Sequence, residues 1–199
     1  MARDRDVTAF GERAPGYDQG WLGQLHHQIA DRTADLALRC APAPRRILDV
    51  GCGTGYLLGQ LAARVPQAQA LDGIDAARPM VEAARAAAAD DRLNFVAGPA
   101  EQLPWPDASF DLVVSTTSFD HWADQRAGLA QCARVLAPGG CLVLADLFSV
   151  LLVPTLVGQR RDKARTRRRA TRLVTAAGFR SPQWHPLYAA IIQAVTATR

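Results

Sequence analysis

The chain has 199 residues, 49% of them hydrophobic and 21% charged, with a formal net charge of +4. That length and apolar share suit a folded domain with its own core and exclude a largely disordered chain. The N-terminal run Met-Ala-Arg-Asp-Arg-Asp lacks the apolar centre of a secretory signal, and the most apolar stretch, residues 141–158, is interrupted by Asp146 and Pro154 and makes a poor membrane span.

In chain order, the first expected element is a helix over residues 21–39, where Leu22, Leu25, Ile29 and Leu36 fall near one face of a 3.6-residue period before Pro42 and Pro44. A strand over 46–50 runs into a glycine loop. A helix over 56–64 turns Leu57, Leu58 and Leu61 inward. A second strand covers 70–74, and Pro79 suits the first turn of the next helix, which runs to about Ala89. The third strand is 93–97. The fourth, 110–115, holds Leu112, Val113 and Val114 in succession, as a strand buried on both faces should. A helix over 123–136, a turn at Pro138-Gly139-Gly140 and a fifth strand over 141–145 follow. Residues 160–177 read as a helix capped by Gly178. Two last strands, 179–184 and 188–196, form an antiparallel hairpin linked at His185-Pro186. Strands alternating with helical patterns predict an α/β fold with a parallel sheet and crossover helices.

Cys40, Cys52, Cys132 and Cys141 form no CxxC pair and have no companion histidine spacing. The expectation is free thiols in a reducing, cytoplasmic compartment, with no metal site.

The strongest local signal is Ile47-Leu48-Asp49-Val50-Gly51-Cys52-Gly53-Thr54-Gly55. A buried strand enters glycines at alternate positions, then a helix start with unpaired N–H groups, at the carboxyl edge where open α/β sheets bind ligands. A dinucleotide site would read GxGxxG, but here Gly51, Gly53 and Gly55 give GxGxG and Tyr56 follows. Asp49 at the strand end would repel a pyrophosphate and tolerate an ammonium or a sulfonium. Asp75 ends the second strand, 20 positions beyond Gly55, where a carboxylate can accept from both ribose hydroxyls. Asp72 reads as a surface residue.

This order of motifs resembles the class I S-adenosylmethionine-dependent methyltransferases, in particular the small-molecule branch related to ubiquinone-biosynthesis and type 11 domains. The glycine loop is similar to the family's first motif and Asp75 to its ribose-binding acid. Ala97-Gly98-Pro99-Ala100-Glu101-Gln102-Leu103-Pro104 resembles the loop flanking the adenine. Phe110-Asp111-Leu112-Val113-Val114-Ser115 resembles the fourth strand, and Arg134-Val135-Leu136-Ala137-Pro138-Gly139-Gly140 the approach to the fifth. The resemblance implies a three-layer Rossmann-like fold, with a mostly parallel seven-stranded sheet ending in an antiparallel hairpin. It implies S-adenosyl-L-methionine as cofactor, S-adenosyl-L-homocysteine as product, and a cofactor site at Asp49, Gly51, Cys52, Gly53, Gly55, Asp75, Ala76, Ala100, Glu101 and Ser115. Two positions depart from the pattern: Pro99 replaces an acid, and Ala76 a larger aliphatic residue. One domain is expected over 1–199, with an N-terminal lid and helix (1–44), a cofactor-binding core (45–146) and acceptor-side helices with the hairpin (147–199).

Methyl transfer from a sulfonium needs positioning and desolvation, and a base only where the acceptor must lose a proton. His121, in Ser118-Phe119-Asp120-His121-Trp122, is the candidate base. Tyr17 is the second candidate, in a segment that resembles the lid of relatives; the alternative is packing against Trp21. His26 and His27 read as solvated and His185 as structural. The apolar run Leu147-Phe148-Ser149-Val150-Leu151-Leu152-Val153-Pro154 is expected to line an acceptor pocket or a homodimer face. Arg161, Arg165, Arg168 and Arg172 fall within a stripe of roughly 60° on one helix face. They read as a solvated face, the alternative being a clamp for an anionic acceptor or a weak nucleic-acid contact; without interleaved aromatics nucleic acid is disfavoured as a partner. The expected function is methyl transfer to a small-molecule acceptor; the competing readings are a non-catalytic S-adenosylmethionine-binding accessory protein and a dinucleotide-linked oxidoreductase.

Overall fold

The computed structural model describes residues 2–148, 166–188 and 191–199, with side chains from residue 7. The helices are α1 (Ala2–Arg13), α2 (Gly20–Cys40), α3 (Tyr56–Arg64), α4 (Arg78–Ala87), α5 (Gln125–Val135) and α6 (Arg167–Ala176). The strands are β1 (Arg46–Val50), β2 (Ala70–Asp75), β3 (Leu93–Ala97), β4 (Phe110–Thr116), β5 (Leu136–Leu147), β6 (Arg180–Tyr188) and β7 (Ile192–Thr198). Among the described residues they form one seven-stranded sheet in the order β3-β2-β1-β4-β5-β7-β6. β1 to β5 are parallel, and β7 joins β5 and β6 antiparallel. This is the expected three-layer α/β architecture.

The consecutive apolar residues of β4 show why the centre is parallel. Leu112, Val113 and Val114 are all 0% exposed. Leu112 and Val114 pack into the cluster with α2 and α3, and Val113 into the opposite cluster with α5 and α6. Period-2 alternation thus sends neighbours to two helix layers. α5 begins where the Asp124 carboxylate accepts from the amides of Arg126 and Ala127. α6 begins at Thr166, whose hydroxyl accepts from the Arg169 amide, and ends before Gly178 at φ +94°.

The structure corrects several expectations. Pro138-Gly139-Gly140 is not a separate turn: β5 runs from Leu136 to Leu147, with its register against β4 shifted between Phe110 and Leu112. The hairpin does not turn at His185-Pro186. Both lie in β6 opposite Ala194 and Gln193, and the edge position lets proline sit in a strand without costing a ladder bond. α4 stops at Ala87, and α1 is a helix with no counterpart in the sequence reading. Asp72 is buried and accepts from Asn94 Nδ2 at 2.8 Å. Residues 160–165 of the expected helix lie outside the described residues, as do Ser149 to Pro154 of the apolar run, Arg161 and Arg165.

The cysteines are the largest correction. Cys40 at the end of α2 and Cys141 in β5 form a disulfide, with Cα atoms 6.3 Å apart and 101 positions between them in sequence. Only Cys52 and Cys132 are free, both buried. Tertiary packing of α2 on β5 creates this pair, and no sequence spacing announces it. The thiol-based argument for a reducing compartment therefore falls. Among the described residues no helix is long and apolar enough to cross a membrane.

Candidate functional site

β1 lies between β2 and β4, all parallel, so their carboxyl ends open a crevice at one sheet edge. The glycine loop enters it from β1. Gly51 sits at φ +81°, and a Cβ there would collide with the Ser118 hydroxyl. Gly53 sits at φ +53°, and a Cβ there would meet nothing within 4 Å. The first glycine is required by a close approach, and the second presents bare backbone to the crevice. The Gly51 and Cys52 amides both donate to the Ile74 carbonyl, at 2.7 and 3.1 Å. Asp75 completes the lock: Oδ2 accepts from the Gly53 amide at 2.9 Å and Oδ1 from the Ala77 amide at 2.8 Å.

Two cavities meet at this loop. The first holds about 770 Å³ of empty space up to its mouth; Asp75, Ala76, Ala100, Glu101, Tyr17 and His121 all line it. The second, about 430 Å³, is bordered by Asp49, Cys52, Thr54, His26 and His27. Tyr17, Gly51, Gly53, Thr116 and Thr117 line both, so the cavities abut. Two of the expected site residues lie elsewhere. Ser115 is 0% exposed behind the wall, hydrogen-bonded through its hydroxyl to Ser118 Oγ at 2.8 Å. Gly55 faces away, and a Cβ on it would lie 2.7 Å from the Phe95 ring.

Some lining residues escaped the sequence reading, Val7 of α1 among them, whereas Phe10 begins the segment expected to form a lid. Both pack with Ala77, Met80 and Tyr17 and line the first cavity. Phe10 meets the His121 ring edge-on at 4.8 Å. The polar pair Thr116-Thr117 at the end of a buried strand was the available sequence signal for a site edge. Thr117 holds φ +52°, a strained conformation for a β-branched residue. His26 and His27 are not simply solvated: His27 stacks on Tyr56 at 3.7 Å and pairs with Asp18 at 2.9 Å, while His26 stacks on Tyr17 at 4.9 Å.

The electrostatics are those of a buried acidic floor. Asp49 is 2% exposed, and its Oδ1 has no hydrogen-bond partner. Burial, with Asp75 nearby, pushes its carboxyl up to about 8. Burial also raises Asp75, opposed by the amides of Ala77 and Gly53 and by His121. Tyr17 is pushed up to about 12 by burial and by Asp75 and Asp18, so its hydroxyl stays protonated. Once its carboxyls are ionised, such a floor repels phosphates and suits a cationic ligand with hydroxyl donors. Among the described residues no cluster of three or more His, Cys, Asp or Glu side chains is placed to hold a metal ion.

Comparison with known proteins matches residues 48–144 to the family described as "Methyltransferase domain". The demethylmenaquinone methyltransferase of Deinococcus radiodurans is 41% identical over 133 residues, 66% of this chain and 51% of that protein. The 27-O-demethylrifamycin SV methyltransferase of Amycolatopsis mediterranei is 38% identical over 172 residues, 75% of this chain and 60% of that protein. The chain thus spans between half and two thirds of the length of these curated relatives. Among solved structures, one from the complex of the Haloferax volcanii Trm112 methyltransferase activator with a methyltransferase superposes with a TM-score of 0.80 at 21% identity, covering 96% of both chains. At that identity the likeness speaks for the fold alone.

Proposed function

We propose, on the match of residues 48–144 to the methyltransferase domain family, that this chain transfers a methyl group from S-adenosyl-L-methionine to a small organic acceptor. The observation that carries this reading is the unpartnered Asp49 Oδ1 buried beside the bare backbone of Gly51 and Gly53. A carboxylate so placed suits a ligand with a cationic end and would oppose a dinucleotide pyrophosphate. The relatives' names, for a demethylmenaquinone and a demethylrifamycin, support an acceptor of small-molecule size.

When bound, the cofactor supplies a methyl group activated by the sulfonium, ready for in-line displacement at carbon. The chain's own residues hold and shield it. Asp75, fixed by two backbone donors, has lone pairs left for ribose hydroxyls. Ala76, Ala77 and Met80 line the first cavity together with Pro99, Ala100 and Glu101, a largely apolar slot suited to a purine. Cys52 and Gly53 present main chain to the amino-acid end. Val7 and Phe10 of α1 line the same cavity and would shield the cofactor from water. His121, exposed at the edge of the first cavity, would take a proton from an acceptor hydroxyl or amine.

Calorimetric titration with S-adenosylhomocysteine, beside NAD, tests the cofactor assignment: micromolar binding of the first and none of the second is expected. Preference for NAD would replace the reading with a dinucleotide enzyme. Binding without methyl transfer to any quinol, phenol or carboxylate acceptor would leave an accessory binding protein.

A further inference from the structure

We propose that His26 is the residue that holds the carboxylate of the cofactor's amino-acid end, in the second cavity, opposite an ammonium held by Asp49. The inference rests on the methyltransferase reading and adds to it a positioning residue outside the glycine loop.

Three buried polar atoms of the described residues border this cavity with no partner in the protein: His26 Nδ1, Asp49 Oδ1 and Thr116 Oγ1. Buried polar atoms in a folded chain almost always have partners, so three orphans around one space describe the ligand that would satisfy them. They are a carboxyl oxygen, an imidazole nitrogen able to donate, and a hydroxyl able to do either. An α-amino acid carries the complementary set: an ammonium with three donors and a carboxylate with acceptors only. An apolar acceptor would leave all three unpaired. A phosphate would face Asp49 and, at the rim, Asp18.

The packing holds the imidazole in place. His26 lies in the second turn of α2, against the Tyr17 ring at 4.9 Å and 22° from parallel. Tyr17 lines both cavities. The adjacent His27 also borders the second cavity but is engaged by the Asp18 carboxylate and the Tyr56 ring, whereas His26 Nδ1 has no partner. Burial lowers its basicity, with Asp18 opposing, so the ring meets a ligand neutral and donates from Nδ1.

The test uses two probes, S-adenosylhomocysteine and 5′-methylthioadenosine, which keeps the nucleoside and the thioether but lacks the amino acid. Titration of His26→Ala should show affinity for the first weakened ~10-fold or more, as for a lost hydrogen bond to a charged group, and affinity for the second unchanged. His26→Asn, which keeps a donor where Nδ1 lies, should recover most of the loss. Unchanged affinity for S-adenosylhomocysteine overturns the proposal. So does an equal loss for both probes, which would make His26 a packing residue beneath Tyr17. A wild-type protein that binds 5′-methylthioadenosine as tightly as S-adenosylhomocysteine overturns this proposal alone. One that binds neither overturns the methyltransferase reading with it.

Discussion

The Gly53 amide donates to the Asp75 carboxylate across 2.9 Å, tying the loop after β1 to the end of β2. Asp75 therefore shapes the loop and also faces the first cavity. Asp75→Ala should weaken S-adenosylhomocysteine ~10-fold or more, about 1.5–3 kcal/mol for hydrogen bonds to a charged group. It should also lower the melting temperature, because two backbone donors lose their acceptor. Asp75→Asn should restore part of both. Calorimetry and thermal melting read the two effects separately.

The buried Asp49 carboxyl costs the fold stability. Its carboxyl titrates at about 8 in the folded chain and at about 3.9 when unfolded. The folded state keeps a proton that the unfolded state has released, so stability falls as pH rises from about 4 to about 8 and levels above that. Asp49→Asn removes this loss. Its melting temperature should exceed that of the wild type at pH ~8, by about 2–4 °C per kcal/mol for a domain of this size. Asp75 and Asp146, raised in the same direction, keep the rest of the slope. Binding should move the other way. Wild-type affinity for S-adenosylhomocysteine should climb toward pH ~8 as the carboxylate forms, while Asp49→Asn stays weak and flat.

His121 lines the first cavity with its ring against Phe10, and no hydrogen bond joins it to the glycine-loop backbone in the bonds described for that loop. His121→Ala should leave S-adenosylhomocysteine affinity within about 2-fold and lower turnover ~100-fold or more on acceptors that must lose a proton, the usual range for a lost general base. Unchanged turnover would reduce His121 to an aromatic contact for α1.

Ser118 is the hub behind the loop. Its hydroxyl donates to the Val50 carbonyl at 2.9 Å, meets Ser115 Oγ at 2.8 Å and accepts from Trp122 Nε1 at 3.2 Å. Ser118→Ala leaves these groups without a shared partner and should cost about 1–3 kcal/mol. Ser118→Val should cost more, because Gly51 leaves no room. Denaturant melts order the three proteins.

The Cys40–Cys141 disulfide closes a loop of 101 positions. Titration of thiols in denaturant should find two, from Cys52 and Cys132, and four after reduction. In the chain-entropy model, reduction should lower stability by about 4–5 kcal/mol. Four thiols without reductant would remove the bridge.

The sequence by itself determined what local chemistry can dictate. Alternating apolar runs and helical periods set the order of strands and crossover helices, and the helix over 56–64 and the strands over 46–50 and 93–97 were read to the residue. Gly51, Gly53, Asp49 and Asp75 announced themselves because tight backbone approach and charge at a strand end leave a signature in a few adjacent positions. Other features depend on contacts between distant segments. Cys40 meets Cys141 only because α2 packs on β5. Val7 and Phe10 line the first cavity only because α1 packs on Ala77 and Met80. His185 and Pro186 stay in β6 because pairing with β7 outweighs the local turn preference of proline. His26 looks like any surface histidine along the chain. Packing brings it to the same cavity as Asp49 and Thr116 and leaves its Nδ1 buried without a partner, which is costly for a polar atom.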